Sequence, residues 1–384
     1  MSADWQAGGF GVYIHWPFCL AKCPYCDFNS HVSRSVDHAA WEDALVTELG
    51  AMRALSGPRP ADTVFFGGGT PSLMHPATVA RLIETVDRLW GLAPGAEITL
   101  EANPTSAEAE SFQGYASAGV NRLSMGVQAL NDRDLKALGR THTVHEAEAA
   151  FAIARAVFPR VSFDLIYARS GQSLAAWEAE LARAMAMAVD HLSFYQLTIE
   201  PGTRFAELHA RGKLIVPATE LAADFYDLTQ SMTATAGLPA YEVSNHARPG
   251  AECRHNLIYW RYGDYAGAGP GAHGRITGPD GVRRATETQR DPAAWMAAVR
   301  AEGHAMSTSP LAPEDQAVEH LLMAMRLSEG IDADRHARLS GRMLAPSRLR
   351  PLEEDGLIAR EGQRLRATDR GRLVLNRVIE ALVD

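Results

Sequence analysis

Short apolar segments rich in β-branched residues alternate with longer segments of helical periodicity through the first 200 positions. This alternation is typical of strand–helix units built around a parallel sheet. The pattern predicts six strands, at positions 11–15, 63–66, 97–101, 122–126, 161–167 and 191–197. It predicts intervening helices at 37–55, 76–89, 107–118, 132–138, 144–157 and 174–188. The order and spacing indicate an α/β fold, an incomplete (β/α)6 TIM-like barrel.

The remainder of the chain has a different pattern. After one predicted helix at 219–236, the segment up to position 274 is irregular and dense in Gly, Tyr and Trp. A helix at 313–327, a short hairpin at 352–357 and 365–367, and a last helix from position 369 resemble a winged-helix module. We therefore expect a barrel over 1–200, a barrel extension over 201–300 and a C-terminal winged-helix-like domain over 301–384.

Composition and charge narrow the function classes. The chain has 384 residues, of which 46% are hydrophobic and 22% charged, as in ordinary globular proteins. It carries 37 basic and 46 acidic residues, a formal net charge of −9. Positions 311–384 hold 12 arginines, no lysine and 13 acidic residues, a net of −1. Neither balance provides the basic surface that nucleic acid requires, so we expect no nucleic-acid partner.

The N-terminus has no cationic segment followed by an apolar run, and no stretch of about 18 apolar residues occurs. We therefore expect a cytoplasmic protein with no integral membrane segment. Of its four cysteines, Cys19, Cys23 and Cys26 lie within eight residues, while Cys253 stands apart. In a reducing compartment, such a cluster favours metal binding over disulfides.

The CxxxCxxC segment places three thiols on one loop after the first predicted strand. Three thiolates can ligate three irons of a [4Fe–4S] cluster and leave the fourth iron open. The alternative is structural zinc, which normally takes four protein ligands; His15 or His31 is near enough in sequence to be the fourth.

Glycine and polar residues recur at the predicted carboxyl ends of the strands. The string Gly67-Gly68-Gly69-Thr70-Pro71 follows the second strand. Glu101 ends the third strand, Gln128 follows the fourth and Asp164 lies within the fifth. In parallel barrels this edge is where sites assemble, because every strand-to-helix loop opens there. A tight turn and helix caps are the alternative interpretations, but the shared edge favours a ligand site.

Longer strings make the pattern more specific. They are YIHWPFC at 13–19, GGGTPS at 67–72, LEANP at 100–104, SMGVQ at 124–128, YEVSN at 241–245, CRHNLIYW at 253–260 and GAGPGAHG at 267–274. Together they resemble the branch of the radical S-adenosylmethionine superfamily that contains oxygen-independent coproporphyrinogen III dehydrogenase and the haem chaperone HemW. The likeness extends over nearly the whole chain.

The resemblance implies a [4Fe–4S] cluster held by Cys19, Cys23 and Cys26, with S-adenosylmethionine on the open iron. It implies that Tyr13 and Tyr25 flank the S-adenosylmethionine and that Gly68, Gly69 and Thr70 meet its methionine part. The remaining contacts to S-adenosylmethionine would come from Glu101, Gln128, Arg140 and Asp164. Whether one or two molecules bind is left open.

Three features separate the two members of this branch and favour the chaperone. Phe28 stands where the dehydrogenase has a further cysteine, and 18 residues precede Cys19 where the dehydrogenase has a longer arm. The segment 255–260 fits the HNxxYW pattern associated with haem binding. The resemblance thus implies a haem chaperone that passes haem b to an acceptor protein. An acceptor in a respiratory enzyme would bring the chaperone to the membrane surface.

His255 is the candidate axial ligand of the haem iron, since neutral imidazole is a common haem ligand. A purely structural role for His255 is the alternative, and Cys253 and His273 are weaker candidate ligands. No catalytic residue is predicted. The competing function is the dehydrogenase itself, in which a deoxyadenosyl radical would initiate decarboxylation of a propionate side chain.

One string departs from the resembled pattern. Where the family usually reads Tyr-Gly-Leu-Pro-Gly-Gln, this chain has Tyr167-Ala168-Arg169-Ser170-Gly171-Gln172. Loss of proline and gain of arginine predict a changed backbone and an added charge at the functional edge of the barrel.

Overall fold

The computed structural model describes residues 4–383. Its strands are β1 Phe10–Trp16, β2 Phe18–Cys19, β3 His31–Val32, β4 Ala61–Gly68, β5 Leu92–Ala102, β6 Arg122–Gln128, β7 Arg160–Tyr167, β8 His191–Gln196, β9 Asn245–Ala247, β10 Asp264–Ala268, β11 His273–Thr277, β12 Arg283–Thr288, β13 Met306–Pro310, β14 Ile331–Asp332, β15 Ile358–Glu361 and β16 Arg364–Ala367. All six predicted barrel strands are present, as β1, β4, β5, β6, β7 and β8. The incomplete TIM-like barrel is therefore confirmed.

The helices are α1 His38–Ser56, α2 Pro76–Trp90, α3 Ser106–Ala109, α4 Phe112–Ser117, α5 Asp132–Ala137, α6 Val144–Val157, α7 Leu174–Met187, α8 Arg204–Ala210, α9 Thr219–Thr235, α10 Arg254–Trp260, α11 Pro292–Glu302, α12 Pro313–Ala324, α13 Ala333–Ser340, α14 Pro346–Glu354, α15 Asp369–Leu373 and α16 Leu375–Leu382. Side-chain caps explain several starts. The Asp37 side chain accepts from Ala40 N at the start of α1, and Thr143 and Glu146 form a capping box on α6. Within residues 4–383 we find no helix both long and apolar enough to cross a membrane.

The parallel strands form the centre of a larger sheet. Across residues 4–383, eleven strands join in the order β13-β12-β11-β10-β1-β4-β5-β6-β7-β8-β9. Strand β10 pairs parallel with β1, whereas β11, β12 and β13 continue the sheet antiparallel. At the other edge β9 pairs antiparallel with β8. The carboxyl ends of the parallel strands therefore meet at one edge, where the polar residues predicted from the sequence lie.

The expectation of an irregular, loop-like segment from 201 to 274 was wrong, because β9, β10 and β11 lie in it. The segment 279–290 also contains a strand, β12. Small residues hide the strand pattern here: a Cβ at Gly267 would lie 2.1 Å from the His273 carbonyl oxygen, so a side chain is sterically excluded. The boundaries of the three domains stay predictions.

Two other local predictions were wrong. The helix expected at 107–118 is divided into α3 and α4. The first strand of the C-terminal hairpin is β15, displaced from 352–357, because Leu349 and Leu352 lie on the buried side of α14. Pro346 at the first turn of α14 favours a helix start there.

The C-terminal residues form a separate hydrophobic cluster around Leu321, Ile331, Leu352 and Val378. Helices α12–α16 surround a three-stranded antiparallel sheet, β14-β16-β15, as in a winged-helix module. Ion pairs attach it to the barrel: Arg275 pairs with Glu319 at 2.6 Å and Arg261 with Glu329 at 2.8 Å. The second pair reaches the residue directly after α10, the helix that carries the HNxxYW residues, and the first reaches β11.

Candidate cofactor site at the carboxyl edge of the sheet

A cavity of about 220 Å³ opens at the carboxyl ends of the parallel strands. Eleven of the thirteen residues predicted for the site line it: Cys19, Cys23, Tyr25, Cys26, Gly68, Gly69, Thr70, Glu101, Gln128, Arg140 and Asp164. The cavity brings together residues of the cysteine loop, of the ends of β4 to β7 and of the α5–α6 connection, which lie far apart in sequence. Tyr13 and His255 are not among its lining residues.

The cysteine loop is held in a defined shape beside this cavity. Short strand β2 pairs with β3 through Phe18–His31 and Cys19–Val32, and Cys26 N donates to Cys23 O at 3.1 Å. Each thiol has a polar neighbour: Thr70 Oγ1 donates to Cys19 Sγ at 3.3 Å, Arg140 Nη1 donates to Cys23 Sγ at 3.3 Å, and Ser30 Oγ lies 3.8 Å from Cys26 Sγ. Such groups stabilise thiolates, the form that binds iron.

Burial raises the pKa of the Cys19 and Cys26 thiols, while hydrogen bonds from Thr70 and Ser30 oppose that rise. The bare loop therefore favours thiols, and metal binding has to displace their protons.

The histidines proposed as a fourth zinc ligand are already engaged. His15 Nδ1 lies 3.0 Å from Tyr13 Oη, and His15 Nε2 lies 2.9 Å from Asn29 O. His31 Nε2 lies 3.3 Å from Asn29 Oδ1. Among residues 4–383, no three His, Cys, Asp or Glu side chains converge as ligands of one metal ion. A [4Fe–4S] cluster does not require such convergence, because each thiolate binds a different iron.

The antiparallel half of the sheet braces the cysteine loop. Asn29 Nδ2 donates to the carbonyl oxygens of Pro270 and Arg290 at 2.9 and 2.8 Å. A Cβ at Gly269, where φ is 101°, would lie 2.3 Å from His15 O. Glycine is therefore required for the close approach of the two backbones. The glycine-rich segment 267–274 supports the cysteine loop in this way.

The glycine string at the end of β4 packs against neighbouring segments and also lines the cavity. At Gly68, φ is 111° and a Cβ would lie 2.6 Å from His15 Cε1. A Cβ at Gly69 would lie 2.7 Å from Phe18 O. Absence of side chains thus lets this loop lie directly against the cysteine loop. The two alternatives left open by the sequence, a tight turn and a ligand loop, are not exclusive here.

Gln128 reaches the cavity from an irregular end of β6. The pairing of β6 with β7 shifts register between Met125 and Gln128, and Gln128 has a φ of 72°. A left-handed conformation at a non-glycine residue costs energy and is common at functional sites. The Gln128 amide donates to Asp164 Oδ2 at 2.8 Å.

Two of the carboxyl groups that line the cavity, those of Glu101 and Asp164, have perturbed acidity. Burial, reinforced by the nearby Asp164 charge, raises the pKa of Glu101 to about 7. Burial raises the pKa of Asp164 to about 6, against the opposing effect of Gln128 and Arg140. Both groups therefore change charge near neutral pH.

The donor set fits a polar, positively charged ligand beside a thiolate-bound cluster. Within the described part of the chain, Asp164 Oδ1 and Arg140 Nε are buried and lack a hydrogen-bond partner. A buried acceptor or donor without a partner is costly unless a ligand satisfies it. The amino, carboxylate and ribose groups of S-adenosylmethionine offer complementary partners.

Sequence reasoning missed Asn103, Ser124 and Tyr195, which also line the cavity. Asn103 Oδ1 accepts from Arg140 Nη2 at 2.6 Å and so orients the guanidinium. It lies in the LEANP string two residues after Glu101, and this position after a strand end was a usable signal.

Tyr13 lies beneath the cavity and not in its lining. Gly11, Tyr13 and His15 alternate along β1 and face the barrel interior at successive depths. The Tyr13 ring stacks on Phe65 at 6.2 Å and on His255 at 6.4 Å, while its hydroxyl reaches His15. Tyr13 therefore separates the cofactor cavity from His255.

His255 is placed in the barrel interior near the amino ends of the strands. It is 1% exposed, and its Nδ1 and Nε2 lie 2.6 Å from Thr63 Oγ1 and 2.7 Å from Tyr259 Oη. Burial, with a smaller effect of Arg122, lowers its pKa to about 3. In this conformation the imidazole is neutral and neither nitrogen is free for a haem iron.

Cys253 and His273, the two weaker candidate ligands of the haem iron, differ in solvent exposure. Cys253 is 1% exposed beside Glu97, and burial raises the pKa of its thiol to about 11. His273 is exposed, 4.0 Å from Glu287.

The expected extra charge at the edge of the barrel was wrong. Arg169 is 5% exposed and does not line the cavity, since its guanidinium turns away to pair with Asp134 and Glu180. Ala168, at the position where the resembled pattern has glycine, has a φ of 56°. The loop keeps a glycine-like backbone without glycine.

Comparison with known proteins gives consistent matches. The model of the Radical SAM superfamily matches residues 13–184, and that of the HemN C-terminal domain matches residues 311–374. Radical S-adenosyl methionine domain-containing protein 1, mitochondrial, of Bos taurus is 39% identical, over 97% of this chain and 87% of the relative. Heme chaperone HemW of Escherichia coli is 38% identical, over 96% of this chain and 97% of the relative.

Among solved structures, coproporphyrinogen III oxidase (HemN) from Escherichia coli superposes with a TM-score of 0.81. The superposition covers 99% of this chain and 92% of that one, at 23% sequence identity. At this identity the match establishes the shared fold.

Proposed function

Because the chain belongs to the radical S-adenosylmethionine superfamily as a HemW-like member, we propose that it is a haem chaperone that binds haem b and passes it to an acceptor protein. The observation that carries the proposal is 38% identity to a heme chaperone over nearly the full length of both chains. Phe28 and the HNxxYW residues support the same assignment.

In this proposal Cys19, Cys23 and Cys26 hold a [4Fe–4S] cluster, and S-adenosylmethionine occupies the cavity beside it. When bound, the cluster can supply an electron to S-adenosylmethionine and leaves one iron for its methionine part. Thr70 and Arg140 stabilise thiolates, Glu101 and Asp164 accept from the ligand, and Tyr25 covers it. A chaperone needs these groups only to hold and orient the ligand. It does not need them to make a bond.

Haem ligation by His255 requires a change in α10. The Tyr259 hydroxyl has to leave His255 Nε2, and the helix has to expose a face that now packs inside the barrel. The Tyr259 and Trp260 rings would then offer apolar surface to the macrocycle. We propose a haem-requiring respiratory enzyme as acceptor, approached from the cytoplasm at the membrane surface.

An anaerobic haem titration of the cluster-reconstituted chain tests the proposal. We expect saturation near one haem per chain, with an altered spectrum or lost binding in His255→Ala and no change in the exposed control His145→Ala. Saturation unaffected by His255→Ala would keep the chaperone and move the ligand to Cys253 or His273. Absence of saturable binding in the native chain would refute the proposal. An anaerobic assay for protoporphyrinogen IX formation would then test the dehydrogenase.

A further inference from the structure

Arg169 occupies the position of leucine in the resembled family pattern and is the best-connected side chain of its loop. Its Nε and Nη2 donate to Asp134 Oδ2 at 3.0 and 2.7 Å, and Nη2 also donates to Glu180 Oε2. Its Nη1 donates to the carbonyl oxygen of Ile166. A buried guanidinium thus joins three separate segments.

Two of these segments, β7 and α5 with its flanking residues, carry or adjoin polar groups of the cavity. Ile166 belongs to β7, two residues after Asp164, and Asp134 lies in α5, which follows Gln128 and precedes Arg140. The link continues through α7, because Glu180 Oε1 accepts from Leu130 N at 2.6 Å. Leu130 lies two residues beyond Gln128.

The geometry points to Arg169 as a positioning residue for S-adenosylmethionine: it fixes the end of β6 against the end of β7, and so sets Gln128 relative to Asp164. The ladder between these strands shifts register between Met125 and Gln128 and resumes with the single pair Gln128–Leu165, so the strand ends need a further constraint on their alignment. The hydrogen bonds of Arg169 provide such a constraint between the two strand ends. Binding sites are sensitive to displacements of about 0.5 Å, so this alignment bears directly on affinity.

The chemistry requires arginine. A guanidinium presents several donors in a rigid fork and can serve two carboxylates and a carbonyl at once, whereas lysine presents a single ammonium. Leucine would leave Glu180, 8% exposed, as a buried carboxylate without its cation. The inference rests on the superfamily cofactor within the proposed function, and not on haem binding.

The test is the affinity of the cluster-reconstituted full chain for S-adenosylmethionine, measured by anaerobic equilibrium dialysis. Arg169→Leu is compared with the native chain, Arg169→Lys and Arg81→Leu, a control whose exposed side chain pairs with Glu42 and Asp43 away from the cavity. We expect a loss of about tenfold in affinity for Arg169→Leu, an intermediate loss for Arg169→Lys and none for Arg81→Leu. The iron content of Arg169→Leu should equal that of the native chain, whereas a general loss of structure would lower it.

If Arg169→Leu fails to fold, the variant Asp134→Asn/Arg169→Leu/Glu180→Gln removes the three charges together and is measured in its place. A loss below about threefold in the variant that folds overturns the inference. The haem titration of the same preparations separates the two proposals. Normal haem binding with unchanged affinity for S-adenosylmethionine refutes the role of Arg169 alone, whereas absent haem binding in the native chain refutes the chaperone alone.

Discussion

The Gln128 amide donates a 2.8 Å hydrogen bond to Asp164 across the ends of two neighbouring strands. Gln128 reaches this position through a left-handed backbone, and the second oxygen of Asp164 remains without a partner within residues 4–383. The bond therefore orients a buried carboxylate so that one oxygen is available to a ligand. The effect of carboxyl ionisation on ligand binding can therefore be tested.

Affinity for S-adenosylmethionine should fall as pH falls from 8 to 5.5. The pKa of Glu101 is raised to about 7 and that of Asp164 to about 6, so both carboxylates lose their charge over this interval. The ligand is a sulfonium cation and binds the ionised forms better. We expect a loss of about tenfold in affinity by equilibrium dialysis, with a shallower dependence in Asp164→Asn. Equal slopes in both chains would assign the dependence to other groups.

Substitution of Gly269 should release iron. A Cβ there would meet the His15 carbonyl oxygen at 2.3 Å and displace the end of β1 that leads into the cysteine loop. Gly250 is a matched control, because its φ of 86° is also positive but no atom lies within 4 Å of its Cβ position. Gly250→Ala should cost about 1 kcal/mol of stability and keep its iron. Gly269→Ala should lose at least half of its iron in a reconstitution assay, and full retention would contradict the bracing role.

Cys253 should resist alkylation in the folded chain. Its thiol is buried and its pKa is raised to about 11, whereas the other three thiols are partly exposed. Treatment of the cluster-free chain with iodoacetamide at pH 8 should modify Cys19, Cys23 and Cys26 and leave Cys253 intact. Peptide mass spectrometry identifies the sites, and the urea-unfolded chain should show all four modified. Rapid labelling of Cys253 in the folded chain would show that α10 opens readily.

Stability should fall on acidification because of His255. Its pKa of about 3 in the folded chain lies below the ordinary value of 6.5, so the unfolded chain binds the proton first. This contribution to the free energy of unfolding is fully present above pH 6.5 and is lost as pH falls toward 3. The loss is about 2 kcal/mol at pH 5. Urea unfolding at pH 7 and pH 5 measures it. His255→Gln should show a smaller drop than the native chain by about that amount.

Periodicity along the chain was sufficient for the barrel, because each of its strands is a compact apolar run next to a helical segment. It failed for β10–β13, where glycines and charged residues satisfy packing needs set by neighbouring strands. The role of Gly267, for example, depends on the His273 carbonyl lying across a hairpin, which no local pattern encodes.

The site was largely predictable because its residues follow strand ends, and parallel strands bring those ends together wherever the fold forms. The orientation of the Arg169 side chain was not predictable, because it depends on carboxylates contributed by two other helices. The burial of His255 was likewise hidden, since a histidine in a short motif carries no signal of the barrel interior around it.

The sequence by itself determined the strand–helix order, the cysteine loop and the polar residues at the strand ends, since these depend on local spacing. Only the tertiary structure decided which of them share a cavity, which carboxylates are desolvated and which imidazole nitrogens are already bonded. Those properties arise from contacts between residues distant in sequence, and burial among them sets both the pKa values and the ligand access.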